Sequence, residues 1–228
     1  MKNIVIAAIC LLTYSISAQS QNLGTKRLKF ENFNEVKVFD LIEVNLIKSD
    51  FNGVEITGDD LEDVEVINKD GTLKVRMNID KIFNGDRTFV SVFYTDLKII
   101  DGNEGAFITS NELITQNYIE LRAQEGAQLK IGLDVKKVDI KAVSGGIIET
   151  RGKAITQDIT LNTGGIYEGK AFETKNTSVN IKAAGEADVY ASNDVDAKVL
   201  AGGNVNIYGN PKHIKEKTTF GGKIRRIN

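Results

Sequence analysis

Four acceptor side chains recur at similar intervals in the second half of this 228-residue chain: Glu149, Glu168, Asp188 and Asn206. Each stands three residues after a glycine, and Tyr190 and Tyr208 follow two residues after the last two. Carboxylates that stack on adjacent strands, about 4.8 Å apart, repel one another unless a positive charge intervenes. These six residues, here called the carboxylate strip, are the candidate interaction site: Glu149, Glu168, Asp188, Asn206, Tyr190 and Tyr208.

Three interpretations of the carboxylate strip are open. It is a solvated face with ion pairs between neighbouring strands, or a ladder of carboxylates that binds Ca²⁺. Alternatively it is a glycan-facing surface, where acids accept hydrogen bonds from sugar hydroxyls and the tyrosine rings pack on sugar rings.

Histidine and cysteine are too scarce for the sites that depend on them. His213 is the single histidine, and Cys10, the single cysteine, lies in an apolar N-terminal run. Zinc and other transition metals lack their usual nitrogen and sulfur ligands, and no Ser-His-Asp or Cys-His arrangement can be assembled. The acidic stretch from Thr57 to Glu65 lacks EF-hand spacing. We therefore expect no catalytic residue, no cofactor and no metal.

The N-terminus has the pattern of an export signal. Lys2 precedes an apolar run from Ile4 to Leu12, and small residues follow from Ser15 to Ala18. The run is far shorter than the roughly 20 residues that span a membrane. It predicts a signal peptide over residues 1–18, export to the periplasm, outer envelope or exterior, and no transmembrane segment after cleavage. Residues 19–32 are expected to form a linker.

Composition predicts an all-β protein without affinity for nucleic acid. The chain has 29 Lys and Arg against 31 Asp and Glu, and such near-neutrality argues against a nucleic-acid surface. Apolar residues recur at every second position in short runs, as in half-buried strands. The last eighteen residues are basic, with Glu216 the only acid among them. That segment is either a solvated end or a contact for acidic lipid or polysaccharide.

A repeat organises residues 101–228. Glycines at 105, 126, 146, 165, 185, 203 and 222 are spaced 21, 20, 19, 20, 18 and 19 residues apart. Two apolar columns accompany them: Ala106, Ala127, Ile148, Tyr167, Ala187, Val205 and Ile224 after the glycines, and Leu121, Ile140, Leu161, Ile181 and Val199 before the next ones. Each repeat supplies short strands that cannot fold alone but bury a continuous core when stacked. The pattern predicts a parallel β-solenoid with about 18–21 residues per coil.

Residues 33–100 have a more conventional β pattern. Asp70-Gly71 separates two alternating runs, and both residue types tolerate the positive φ of a type I′ turn, so an antiparallel hairpin is predicted there. We expect residues 33–228 to form a single domain, with an N-terminal β part over 33–100 and the repeat over 101–228.

Several segments resemble a known family. They are GGIYEGKAF and VNIKAAGEADVYASNDVDAKVLAGGNVNIYGNP between Gly164 and Pro211, with VEITGDDLEDVEV and DGTLKVRM upstream. The chain resembles the putative auto-transporter adhesin head GIN domain family, secreted β-rich proteins of Bacteroidetes-type bacteria. The resemblance implies a right-handed β-helical fold and a secreted or envelope location, and it carries over no catalytic residues.

Two functions follow as expectations. The first is a non-catalytic, adhesin-like binding module that presents a solenoid face to a cell-surface glycan or an envelope protein. The alternative is a polysaccharide lyase or hydrolase, which would need paired carboxylates in a groove. Exposed strand edges at the ends of the rod are also compatible with homo-oligomers.

Overall fold

The computed structural model describes residues 24–227, and the predicted signal peptide lies outside them. The described chain is built almost entirely of strands, with two single-turn 3₁₀ helices at Leu61–Asp63 and Ile79–Lys81. The strands before the repeat are β1 (Lys26–Lys29), β2 (Glu35–Val38), β3 (Glu43–Lys48), β4 (Gly53–Gly58), β5 (Val64–Lys69), β6 (Thr72–Met77), β7 (Thr88–Tyr94) and β8 (Ile99–Gly102). The remaining strands are β9 (Phe107–Ala123), β10 (Gln128–Val143), β11 (Ile147–Asn162), β12 (Gly165–Gly169), β13 (Phe172–Ala183), β14 (Gly185–Tyr190), β15 (Asp194–Ala201), β16 (Asn204–Tyr208), β17 (His213–Phe220) and β18 (Lys223–Arg226).

Successive coils stack in parallel, which confirms the predicted all-β solenoid. The first side of the rod contains β3, the first parts of β9, β10 and β11, and then β12, β14, β16 and β18. The second side contains β2, β8, the last parts of β9, β10 and β11, and then β13, β15 and β17. About seven turns result.

A third side was not expected from the sequence. The middle parts of β9, β10 and β11 continue pairing across the corner between the first two sides, and β11 then pairs with the start of β13. In β9, β10 and β11 a long bent strand therefore replaces the two short strands per coil that the alternation suggested, whereas the later coils keep two strands each.

The N-terminal part joins the same stack. Asp70 and Gly71 have φ values of 52° and 81°, and β5 and β6 pair antiparallel around them, so the predicted hairpin is confirmed. β4 is also antiparallel to β7, whereas β2 and β3 pair in parallel with later strands. Parallel stacking thus begins well before Asp101. β1, inside the predicted linker, pairs with β4, so residues 26–29 belong to the sheet.

The apolar columns are real, but part of their predicted register is wrong. Ile140 lies beside Ile159 rather than Leu161, and Leu161 lies beside Ala142. Ile148 similarly continues the column of Leu129, while Ala127 is aligned with Gly146. The error arose because the glycines chosen as landmarks occupy two different places in the turn.

The turn glycines have two different structural roles. At one corner of each coil, two consecutive residues adopt positive φ, for example Ser144 (50°) and Gly145 (75°). The following Gly146 is extended, and a Cβ there would lie 2.2 Å from the carbonyl oxygen of Ala123. Gly105 and Gly126 have the positive φ of Gly145, whereas Gly165 approaches the preceding coil as Gly146 does. Aligning the coils on these four glycines therefore shifts the register by one residue between Gly126 and Gly146.

A buried polar network crosses the core beneath the third side. The hydroxyl of Tyr167 donates to Oε1 of Gln157 (2.8 Å) and accepts from Thr150 (2.7 Å). Nε2 of Gln157 donates to Thr177 (2.9 Å), which donates to Thr174 (2.8 Å), whose hydroxyl donates to the carbonyl of Tyr190 (2.6 Å). Each hydroxyl proton in the chain has an acceptor, so the network tolerates full burial.

Candidate interaction surfaces

The carboxylate strip lies on the first side of the rod in the predicted register. Glu149 is paired with Glu168, Glu168 with Asp188, and Asp188 with Asn206. The residues immediately before them point inward and are buried, among them Ile148 and Tyr167. Because side chains alternate across a strand, the four acceptors necessarily point outward.

The outer two carboxylates of the strip each have a polar partner. Lys130 precedes Glu149 in the same column, and its Nζ lies 2.8 Å from the carboxylate. That hydrogen bond raises the pKa of Lys130. At the other end, Nδ2 of Asn206 donates to Oδ1 of Asp188 at 2.8 Å. Like charges are adjacent at two places in the column, between Glu149 and Glu168 and between Glu168 and Asp188.

Glu168 is the acceptor that these contacts leave available. It is exposed, and the ion pairs formed within residues 24–227 do not include it. Its neighbours in the column are already engaged by Lys130 and Asn206. An exposed carboxylate with unused lone pairs can accept several hydrogen bonds from a ligand.

The two tyrosines extend the strip sideways. Tyr190 and Tyr208 are aligned on adjacent strands and are half-buried. The Nζ of Lys170 lies 5.1 Å from the centroid of the Tyr208 ring, within the range of a cation–π contact. The strip thus combines an available carboxylate, an ammonium group and two partly exposed rings.

The geometry offers little to metal binding or acid–base catalysis. Within residues 24–227 no group of three or more His, Cys, Asp and Glu side chains is placed to hold a metal ion. An ammonium group, that of Lys130, already neutralises Glu149. A shallow depression of about 220 Å³ lies at one end of the strip, and Glu149 is the one carboxylate among its lining residues. Glycoside cleavage instead uses two carboxyl groups that flank the bond across a cleft.

A second polar surface was not predicted from the sequence. On the second side, outward residues of β11, β13, β15 and β17 line a shallow groove of about 390 Å³. Its short side chains, here called the polar trough, are Thr156, Asp158, Asn176, Ser178, Asp194 and Asp196. The equal spacing of Glu120, Asp139 and Asp158 was a usable signal, since these residues are aligned on successive strands.

Most charges around the polar trough are engaged by neighbours. Lys137 lies 3.1 Å from Asp139 and 3.0 Å from Asp158, and Lys198 lies 3.1 Å from Asp196. A ring nitrogen of His213 lies 3.0 Å from Asp194. The trough therefore has the character of a solvated face with ion pairs between strands, the first interpretation that was open for the carboxylate strip.

No helix in residues 24–227 combines the length and apolar character that crossing a membrane requires.

Solved structures from Bacteroides and Parabacteroides species have the same fold. The chain aligns with a putative adhesin from Bacteroides fragilis at a TM-score of 0.83 and 18% identity, covering 91% of this chain and 98% of that one. A putative adhesin from Parabacteroides distasonis gives a TM-score of 0.73 at 19% identity, covering 90% and 97%. A putative lipid binding protein from the same species gives 0.69 at 19%, covering 92% and 98%. At these identities the likeness shows the fold alone.

Among curated proteins no match was found. The family described as "Putative auto-transporter adhesin, head GIN domain" matches residues 32–211, which include every member of the carboxylate strip. The earlier resemblance is thereby confirmed, and the chain belongs to this family.

Proposed function

We propose that the protein is a non-catalytic, adhesin-like binding module that presents the carboxylate strip to a carbohydrate of a cell surface. The proposal includes export through the N-terminal signal and a secreted or envelope location. A family named for adhesins and structural neighbours described as adhesins support a binding role.

The state of Glu168 is the observation that carries the proposal. It is exposed and outside the ion pairs of the described chain, and it is one column away from the half-buried Tyr190 and Tyr208. A pyranose can pack its C–H face on an aromatic ring while its hydroxyls donate to a carboxylate. The polar trough lacks this combination, because the carboxylates in and beside it are engaged by Lys137, Lys198 and His213.

A glycan array followed by titration of the strongest binders tests the proposal. The ligand should bind without being cleaved, and Glu168→Gln should weaken binding about tenfold or more, because a hydrogen bond to a charged group contributes about 1.5–3 kcal/mol. Tyr208→Ser should also weaken binding by removing the ring.

The matched control is Glu173→Gln, an exposed glutamate on the third side of the same coil. It makes the same chemical change away from the strip and should leave affinity within about twofold. Equal losses for both variants, or product release from any glycan, would contradict the proposal. Binding to an envelope protein in place of every glycan would keep the adhesin-like role and overturn the carbohydrate assignment.

A further inference from the structure

The C-terminal rung of the described rod carries an excess of positive charge. β17 and β18 pair with β15 and β16 on one edge only, and no strand within residues 24–227 covers their other edges. The cationic side chains of this segment are all exposed and are here called the basic rung: Lys212, Lys215, Lys217, Lys223, Arg225 and Arg226.

The charges surround the end of the rod. Lys215 and Lys217 point outward from the second side, in the columns of Asp196 and Lys198. Lys223 and Arg225 point outward from the first side, in the columns of Asn204 and Asn206. Cations on different sides of one rung form a roughly planar ring, and they do not follow the rod axis.

Nearby acids only partly offset this charge. Glu216 lies 3.4 Å from Arg226, and both continue inward-facing columns of the preceding strands. One strand back, Asp194 contacts His213 and Asp196 contacts Lys198. Lys217, Lys223 and Arg225 take part in none of the ion pairs found among the described residues.

An apolar ring projects from the same rung. Phe220 is 75% exposed, at the position aligned with Ala201 one strand earlier. At this position the Phe220 side chain buries little of its surface against the core. Next to the basic rung, however, Phe220 fits the boundary between lipid headgroups and acyl chains, where aromatic side chains settle.

We infer that the basic rung docks the rod end-on to an anionic lipid bilayer, with Phe220 inserted at the headgroup level. A planar ring of cations complements a planar anionic surface, whereas a polysaccharide chain would be complemented by a linear row. End-on docking directs the three sides of the rod away from the bilayer and leaves the carboxylate strip accessible. The inference does not depend on what the strip binds.

Vesicle co-sedimentation tests the charge requirement. The protein should bind vesicles of phosphatidylcholine with 30% phosphatidylglycerol, should not bind phosphatidylcholine alone, and should lose affinity as salt rises. Lys217→Gln with Lys223→Gln should weaken binding roughly 25-fold, about fivefold for each charge removed. The control, Lys136→Gln with Lys175→Gln, removes two exposed mid-rod charges and should change binding less than about threefold.

Tryptophan fluorescence tests the orientation independently, because the natural sequence contains no tryptophan. Phe220→Trp should shift its emission to the blue on adding the anionic vesicles. Phe51→Trp, at an exposed aromatic position between β3 and β4 near the opposite end, should not. Equal charge effects in both lysine pairs, a shift at both tryptophans, or no binding to anionic vesicles would overturn the inference. So would selective binding of soluble polygalacturonate through the same lysines.

Discussion

Tyr167 shows how one residue can alter the cross-section of a solenoid. Its column contains Ile148 before it and Ala187 after it, and the larger ring reaches across the core to Thr150 and Gln157. Burial raises the pKa of the phenol, so it stays protonated and keeps donating to Gln157. Its hydroxyl therefore contributes to stability as part of a closed chain of hydrogen bonds.

Removing that hydroxyl should be costly. Tyr167→Phe leaves a buried acceptor on Gln157 and a buried donor on Thr150, and should lower the free energy of unfolding by about 1–3 kcal/mol. Urea denaturation measures the change. Tyr118→Phe deletes an exposed hydroxyl that contacts Asp139 and should cost less than about 1 kcal/mol. Equal effects would mean that the network is not intact in solution.

Glu104 should make stability depend on pH. Desolvation, followed by the nearby carboxylate of Asp40, raises the pKa of Glu104, with Glu125 adding to the rise and Lys74 opposing it. Asp40 is buried and accepts hydrogen bonds from the backbone N–H groups of Met77 (3.0 Å) and Phe83 (3.2 Å). Folding therefore fixes one carboxylate close to a second.

The direction of the pH effect follows from proton binding. Between the ordinary and the raised pKa of Glu104 the folded state binds more protons than the unfolded state, so stability falls as pH rises through that window. Glu104→Gln should therefore raise the urea midpoint at pH 7, with an advantage that shrinks toward about pH 4. A Glu104→Gln advantage that is constant from pH 4 to 7 would rule out the carboxyl interaction as its cause.

The paired glycines at the coil corners illustrate the element scale. Gly145 needs positive φ, but an added Cβ would meet no atom within 4 Å. Gly146 is extended, but its Cβ would press on the backbone of the preceding coil. The first glycine is required for its backbone conformation, and the second for the close approach of two coils.

Two alanine substitutions separate these requirements. Gly145→Ala should cost about 1–2 kcal/mol, the penalty for an L-residue in the left-handed region. Gly146→Ala should cost more than about 3 kcal/mol, since a clash with backbone cannot be relieved by rotating a side chain. Thermal melts of both variants check the order. A Gly146→Ala protein more stable than Gly145→Ala would contradict the corner geometry.

The repeat was predictable because stacking requires the same residue types at every coil. The spacing of glycines and the outward column from Glu149 to Asn206 both follow from that requirement. The hairpin at Asp70-Gly71 was predictable for a different reason, because both residue types tolerate the positive φ of a tight turn. The register around Ile140 and Leu161 was not predictable from glycines alone, because the two glycines of a turn look identical in sequence. The third side also lacked a consistent sequence signal, because the bends of the long strands do not all contain a glycine or a proline.

At the scale of the whole molecule, each coil depends on its neighbours for its core. Ile181 is fully buried between Leu161 and Val199, which belong to adjacent coils. A charge at this position would disrupt three coils together. In a stack held by nearest-neighbour contacts, such damage spreads along the rod.

Ile181→Asp should therefore destabilise the repeat by about 4–5 kcal/mol or more and lower its melting temperature in a single cooperative transition. Asn180→Asp introduces the same carboxylate one residue earlier, at an exposed outward position, and should melt within a few degrees of the natural protein. Circular dichroism measures the thermal unfolding of both variants. An Ile181→Asp protein that melts like the natural one would refute the stacked core.

The most direct test of the central claim, that the carboxylate strip is the binding face, is an NMR titration of the protein with the glycan that binds most strongly on the array. We expect amide shift changes concentrated at residues 147–149, 166–170, 186–190 and 204–208, with little change in the polar trough. Shift changes centred on Asn176, Ser178 and Asp196 would contradict it, as would an array on which no glycan binds.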